Sequence, residues 1–302
     1  MREEIISSDA AGQRLDRYLR KYLDNEPLSG IYKLLRTKTI KVNGKAAKEN
    51  YSLVEGDVVK FFLSDETISS MMRVRRKISA DRACLDIVYE DDEILVVDKP
   101  EGLLTHPDKN EYSNTLATRV QLYLDHLCTR TFRPAPVQRL DLNTSGLVLF
   151  CKTYDSLKRC NELMRERKVE KFYQCIVHGR LDKAGEIRGF LTKDEESNTV
   201  RLFQKEVPGS VAAYTKFRPL ETIRNYSLVE VELLTGRSHQ IRISLAVAGF
   251  PLIGDTKYGG RKVLGISTQI LHAWRMSIDG KTFEKPGARV MEVWEELKGE
   301  GF

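Results

Sequence analysis

A chain of 302 residues, 41% of them hydrophobic, can bury a sizeable core, and its length suits one main domain with a small module. The 49 Lys and Arg against 43 Asp and Glu leave a net charge of +6, a modest basic excess that favours a polyanionic partner. No apolar run has membrane-spanning length, the opening Met1-Arg2-Glu3-Glu4 lacks a signal-peptide core, and Cys84, Cys128, Cys151, Cys160 and Cys175 form no Cys-x-x-Cys pair. The expectation is a reduced, cytoplasmic protein with no membrane span. The scattered His106, His126, His178, His239 and His272 show no metal-ligand spacing, so no metal is expected.

In chain order, residues 12–23 place Leu15, Leu19 and Leu23 on one helical stripe, with Arg14, Arg17, Arg20 and Lys21 elsewhere. A second short helix carries Ile31, Leu34 and Leu35, with Ser29 as its expected cap. Thr39 to Lys45 alternates into an Asn43-Gly44 hairpin turn, and Val58 to Leu63 closes the unit as a strand. Residues 12–63 hold 11 Lys and Arg against 6 Asp and Glu, so the basic excess is concentrated here. The Arg14-Leu15-Asp16-x-x-Leu19 start, the Leu34-Leu35-Arg36-x-x-x-Ile40-x-Val42-Asn43-Gly44-Lys45 middle and the Glu55-Gly56-Asp57-x-Val59 end resemble the S4-like RNA-binding domain. That resemblance implies Arg36, Lys38, Lys41 and Lys45 as phosphate contacts. A polar, aperiodic stretch over 64–83 reads as a linker. Its Arg73-Val74-Arg75-Arg76-Lys77 cluster is equally a solvated charge run or an RNA contact.

The main domain, 84–302, opens with strands at Ile87-Val88-Tyr89 and Ile94-Leu95-Val96-Val97, then Lys99-Pro100 and Gly102. Thr115–Leu127 is expected to be a core-packing helix, and Asp155–Arg167 a second one capped by Asp155 or Ser156. Val169–His178 alternates as a strand with Lys171 and Tyr173 on one face. Tyr226–Leu234 is another strand, leading through Thr235-Gly236-Arg237-Ser238-His239-Gln240 into a helix with Ser238 as its expected cap.

The centre of the pattern is Val137-Gln138-Arg139-Leu140-Asp141-Leu142-Asn143-Thr144-Ser145-Gly146-Leu147-Val148-Leu149-Phe150. A Pro-rich approach, Arg133-Pro134-Ala135-Pro136, resists helix, and the apolar run from Gly146 reads as a buried strand. The polar loop between them can hold one carboxylate in a fixed place; on spacing alone it is also an ordinary Asx-type turn.

Arg139-Leu140-Asp141 with Thr144-Ser145-Gly146-Leu147 resembles the signature of RluA-type pseudouridine synthases. Lys171-Phe172-Tyr173, Thr235-Gly236-Arg237-x-His239-Gln240-Ile241-Arg242, Gly254-Asp255-x-x-Tyr258-Gly259 and Leu271-His272-Ala273 follow in the order of that family. Gln138, Ser244 and Phe250 stand where the family often has His, which bears on target choice. The resemblance implies an α+β fold: a pseudouridine synthase domain with a mixed, largely antiparallel sheet and flanking helices, plus a small N-terminal α/β S4-like domain at 1–63. It implies Asp141 as nucleophile, Tyr173 stacking on uracil and Arg242 paired with Asp141; Arg139, beside that nucleophile, is the candidate to fill the place of the flipped base or to hold the neighbouring phosphate. Lys171 joins Arg139 as an RNA contact. The implied partner is RNA, of the large ribosomal subunit by resemblance, and the implied protein is a cytoplasmic monomer.

The reaction breaks an N-glycosidic bond, turns the base and rejoins it through carbon, so no cofactor is expected and the absence of a phosphate loop or dinucleotide fingerprint fits. Whether Asp141 attacks ribose or uracil, or assists otherwise, stays open at this level. So do a synthase acting on transfer RNA and a non-catalytic RNA-binding protein on the same scaffold. An aspartyl-phosphate phosphatase is disfavoured, because the strand follows Asp141 instead of preceding it and the second acid is Asn143.

Overall fold

In the computed structural model, which describes residues 1–73 and 84–299, the apolar stripe near the N-terminus becomes helix α1, Leu15–Tyr22. Leu15, Tyr18, Leu19 and Tyr22 are buried, while Arg17, Arg20 and Lys21 face solvent. Helix α2, Leu28–Arg36, follows Pro27, so Ser29 lies within the helix and does not cap it. Three antiparallel strands, β1 (Arg2–Ile5), β2 (Ile40–Val42) and β3 (Val58–Phe61), pair in the order β1-β3-β2. Asn43 and Gly44 form the expected turn with positive φ, and Val42 and Lys45 exchange backbone hydrogen bonds of 2.9 Å. The partner of β2 is nevertheless β3, because the Asn43 side chain binds Asp57 at 2.7 Å and Val58 N at 2.9 Å, tying the turn to β3.

The expected linker starts too early. Asp65–Ser70 is a helix, α3, capped by the Ser64 hydroxyl, and its Ile68 is buried with Ile6, Leu19 and Phe61. Apolar burial of one residue thus draws this polar stretch into the small unit. Arg75, Arg76 and Lys77 lie outside the described residues. Arg130 anchors the small unit to the rest: its guanidinium meets Tyr22 O at 3.0 Å and the Asp24 carboxylate at 2.6 Å.

The main sheet takes strands from the whole remaining chain. They are β4 (Asp86–Glu90), β5 (Ile94–Lys99), β6 (Ala135–Pro136), β7 (Ser145–Cys151), β8 (Glu170–His178), β9 (Gly185–Asp194), β10 (Thr199–Phe203), β11 (Val211–Ile223), β12 (Tyr226–Leu233), β13 (Leu271–Ile278) and β14 (Lys281–Glu284). Their order is β10-β9-β11-β12-β8-β13-β7-β5-β4, with β14 beside β13 and β6 beside β7. The β7–β13 pair is parallel and the other pairs are antiparallel, so the sheet is mixed and largely antiparallel, as expected.

Helices α4 (Leu116–Tyr123), α5 (Tyr154–Arg165), α6 (Gln240–Val247) and α7 (Ala288–Gly299) flank it. Strand β7 is buried on both faces, which explains its unbroken apolar run. Val148 and Phe150 pack with Leu116 and Val120 of α4 and with Ile241 of α6; Leu147 and Leu149 pack with Cys160 of α5. Two expected caps move. Thr153, in a capping box with Ser156, starts α5, and His239 in the left-handed region (φ 52°) starts α6 in place of Ser238. No described helix is long and apolar enough to cross a membrane.

Candidate active site

Asp141 sits in the loop before β7, and its backbone is gripped from both sides. On one side the Thr105 hydroxyl donates to Leu140 O and accepts from Leu140 N, both at 3.1 Å. On the other, Leu142 O accepts from Gly102 N at 3.0 Å and from Lys99 Nζ at 3.1 Å. Lys99 is fully buried, and its ammonium also donates to Pro100 O (2.9 Å) and Leu103 O (2.6 Å). Burial pulls this amine down to about 8, while the charges of Asp141, Asp98 and Glu101 pull the other way. Gly146 completes the frame. At φ 115° it lies against the backbone of Ala273, which a Cβ would meet at 2.4 Å. Only glycine lets β7 start beside β13 there.

The cation is held more firmly still. Arg242 on α6 binds Asp255 through Nε (2.7 Å) and Nη2 (2.8 Å), leaving Nη1 to face the Asp141 carboxylate at 3.4 Å. The Asp255 side chain is 1% exposed and that of Arg242 9%, whereas Asp141 keeps 26% open to the cavity. Burial opposes the Arg242 charge, yet Asp255 and then Asp141 hold it above its ordinary range. The Tyr258 ring lies 5.0 Å from the guanidinium. Val200 N–H donates to the Tyr258 oxygen at 2.9 Å, and that hydroxyl meets His239 Nδ1 at 2.7 Å. Gln240 locks the turn entering α6: its carbonyl oxygen accepts from Thr235 and Arg237 N, and its amide donates to Tyr214 O and Thr215.

These groups open onto a cavity of about 1250 Å³. Tyr173 and Lys171, alternate residues of β8, line it with Asp141, Arg139 and Arg242. Burial, then the charge of Asp141, raise the Tyr173 hydroxyl well above its usual value, so the ring is neutral. Lys109, Arg139, Arg165, Arg167, Lys193, Arg237 and Lys257 also line the walls, against Asp108, Asp141 and Glu195, a surface suited to an anionic polymer. The cavity therefore brings together five of the residues singled out in the sequence.

Arg36, Lys38, Lys41 and Lys45 lie elsewhere: at the end of α2, on β2 and around the turn after it. Arg36, Lys38 and Lys45 are exposed, and Lys41 rests 4.9 Å from the Phe62 ring. Three residues with structural hold on the site had no role in the sequence reading: Asp255, Lys99 and Thr105. Asp255 stands inside a matched motif and Lys99 follows a predicted strand, but only the fold shows what each one grips. Of the departures, Ser244 meets Thr215 in the core and Phe250 packs on Gly179, so both lie off the cavity; Gln138 lines it.

The family described as RNA pseudouridylate synthase matches residues 93–247. An uncharacterized RNA pseudouridine synthase of Bacillus subtilis, YlyB, is 33% identical over 282 residues, covering 90% of this chain and 88% of its own. The ribosomal large subunit pseudouridine synthase C of Vibrio cholerae is 32% identical over 285 residues, covering 89% of this chain and 85% of its own. Among solved structures, human RNA pseudouridylate synthase domain containing 4 superposes with a TM-score of 0.58 at 19% identity, over 70% of this chain and 92% of that one. This last likeness concerns the fold.

Proposed function

The chain belongs to the RNA pseudouridylate synthase family, and from that premise we propose that it isomerises uridines of large-subunit ribosomal RNA in the cytoplasm, with Asp141 as the reacting carboxylate. The observation that carries the assignment of Asp141 is the asymmetry of Arg242. Two of its nitrogens are locked onto buried Asp255, so the third is aimed at a carboxylate that stays accessible. A preset cation beside the carboxylate keeps it oriented before substrate arrives.

The target uridine leaves its stack at a cost of roughly a few kcal/mol, and its base enters the cavity against Tyr173. Arg139, exposed on the rim beside Asp141, takes the vacated place or a neighbouring phosphate. Asp141 assists loss of the base from C1′, and the turned base returns through C5. The N-terminal unit supplies S4-like phosphate contacts through Arg36, Lys38, Lys41 and Lys45. The named activity of the Vibrio relative supports the ribosomal substrate, and the protein acts as a monomer.

The test is release of tritium from [5-³H]uridine in large-subunit ribosomal RNA transcripts, since the C5 hydrogen is lost when carbon bonds to C1′. Asp141→Asn keeps the shape and removes the charge, so product formation should vanish while RNA affinity stays. Turnover by Asp141→Asn protein, with deamidation excluded, would remove Asp141 from this role. Conversion of transfer RNA alone would replace the ribosomal substrate.

A further inference from the structure

Strand β8 presents a second side chain to the cavity two residues before Tyr173. Lys171 is 9% exposed, and burial lowers its amine. Among the described residues no carboxylate or carbonyl holds its ammonium. The contrast with Lys99 is direct, since that fully buried amine has three carbonyl acceptors. An ammonium on a cavity wall with no protein acceptor fits a site completed by an anion when it fills.

The pseudouridine synthase reading, on which this inference rests, supplies such an anion. When the C1′–N1 bond breaks, its electron pair leaves with the ring. The detached uracil is then an anion, its charge shared over N1, O2 and O4. The ring turns, C5 bonds to C1′, the C5 hydrogen departs as a proton, and N1 takes one up. Through this interval the negative charge needs a counter-charge that moves with neither ribose nor phosphate. Arg242 is already committed to Asp255 and Asp141. Arg139 is on the exposed rim. We propose that Lys171 is the counter-charge to the detached uracil anion, acting on the base that rests against Tyr173. A backbone phosphate is the rival occupant. The depth of Lys171 speaks against it, since a planar base can enter where the polymer backbone cannot.

Single-turnover tritium release with enzyme in excess tests this, using Lys171→Met and Lys171→Cys in the full-length protein. Both variants should lose about 10²- to 10³-fold in rate, the scale for deleting one stabiliser of developing charge. RNA affinity and its salt slope should not change. Treating Lys171→Cys with 2-bromoethylamine rebuilds a lysine-like ammonium and should restore most of the rate, whereas iodoacetamide, which leaves a neutral amide, should not. Wild-type protein given the same reagents controls for the other cysteines. Weaker binding with a shallower salt slope and a preserved saturating rate would assign Lys171 to a phosphate and overturn the proposal. Equal rescue by the neutral reagent would also overturn it, because charge would then not be the agent. The two readings fail separately. Wild-type protein silent on the transcript counts against the ribosomal substrate, while an active wild type matched by Lys171→Met counts against Lys171 alone.

Discussion

Two regions of this molecule carry basic side chains in opposite ways. In the cavity, Arg242 is 9% exposed and bound by two carboxylates. In the N-terminal unit, Arg36 at the end of α2 and Lys38 and Lys45 on either side of the edge strand β2 are exposed to solvent. The first arrangement fixes one charge to within hydrogen-bonding tolerance, which chemistry on a single bond demands. The second only raises the local concentration of positive charge, which suffices for a polyanion whose phosphates recur along the strand. Substitutions in the two regions should therefore differ in kind as well as in size.

The largest effect is expected at Asp255. Asp255→Ala leaves the buried Arg242 guanidinium without its main partner, which should cost about 3–5 kcal/mol of stability, the scale for breaking a buried ion pair. It also frees Arg242 to swing away from or collapse onto Asp141, so the surviving folded enzyme should lose at least about 100-fold in turnover. Thermal melting and single-turnover assays on the same samples check both. Near-wild-type turnover would mean that the aim of Arg242 is set elsewhere.

Tyr173→Leu comes next. It should slow conversion by the equivalent of about 1–3 kcal/mol, the scale for one base stacked on an aromatic ring. Global RNA affinity should change little. If melting temperature falls in step with rate, the ring is core and the stacking role fails.

Lys99 provides a pH signature with two opposite signs. Its folded pKa, about 8, lies below the unfolded value of about 10.4. Between those values the unfolded chain holds a proton that the folded chain has released, so this group's contribution to stability rises with pH across the window. Activity should fall over the same range. The neutral amine has two N–H groups for three carbonyls, and Leu142 O, next to Asp141, is the most distant of them. A rate that declines above about pH 8 while melting temperature holds, and a milder decline in Lys99→Met, would fit. A flat profile through about pH 9.5 would show that the grip on Leu142 does not govern the site.

The smallest effect per residue is expected in the N-terminal unit. Lys38→Ala, Lys41→Ala and Lys45→Ala together should weaken RNA binding and lower the log–log salt slope by about 2–3 units, at about 0.7–0.9 per phosphate contact. Saturating turnover should be untouched. An unchanged slope would remove these lysines from the RNA interface and close the gap between the two regions.

Local pattern was enough for much of this protein. The stripe of α1, the alternation of β8 and the doubly buried run of β7 follow from the spacing of Leu15, Tyr173 and Val148 and their neighbours, because burial on one face or two leaves a direct periodic trace. The motif order, by resemblance, brought forward Asp141, Tyr173 and Arg242, and the fold gathers them at one cavity. Where local chemistry was ambiguous, helix starts lay a residue or two away: Ser29, Ser238 and Asp155 or Ser156 could each cap a helix, but Pro27 and His239 hold the first two cap positions without a capping side-chain bond, and Thr153 caps the third. A cap depends on where the chain enters the helix, and packing decides that. The polar stretch after Leu63 concealed α3 because one buried residue, Ile68, is too little signal for periodicity.

What only the tertiary structure decided is the division of labour among the buried charges. Arg242 and Asp255 are 13 residues apart and Arg242 and Asp141 101 apart, so no local rule could say which carboxylate locks the guanidinium and which one it faces. Lys99 and Lys171 are the same residue type and both are buried. Three carbonyls brought together by the loop at 100–103 and by Leu142 make one an anchor, whereas the other lines the cavity with no carbonyl or carboxylate acceptor among the described residues. Hydrogen bonding in a buried site depends on where distant backbone groups converge, and the order of residues specifies that only through the whole fold.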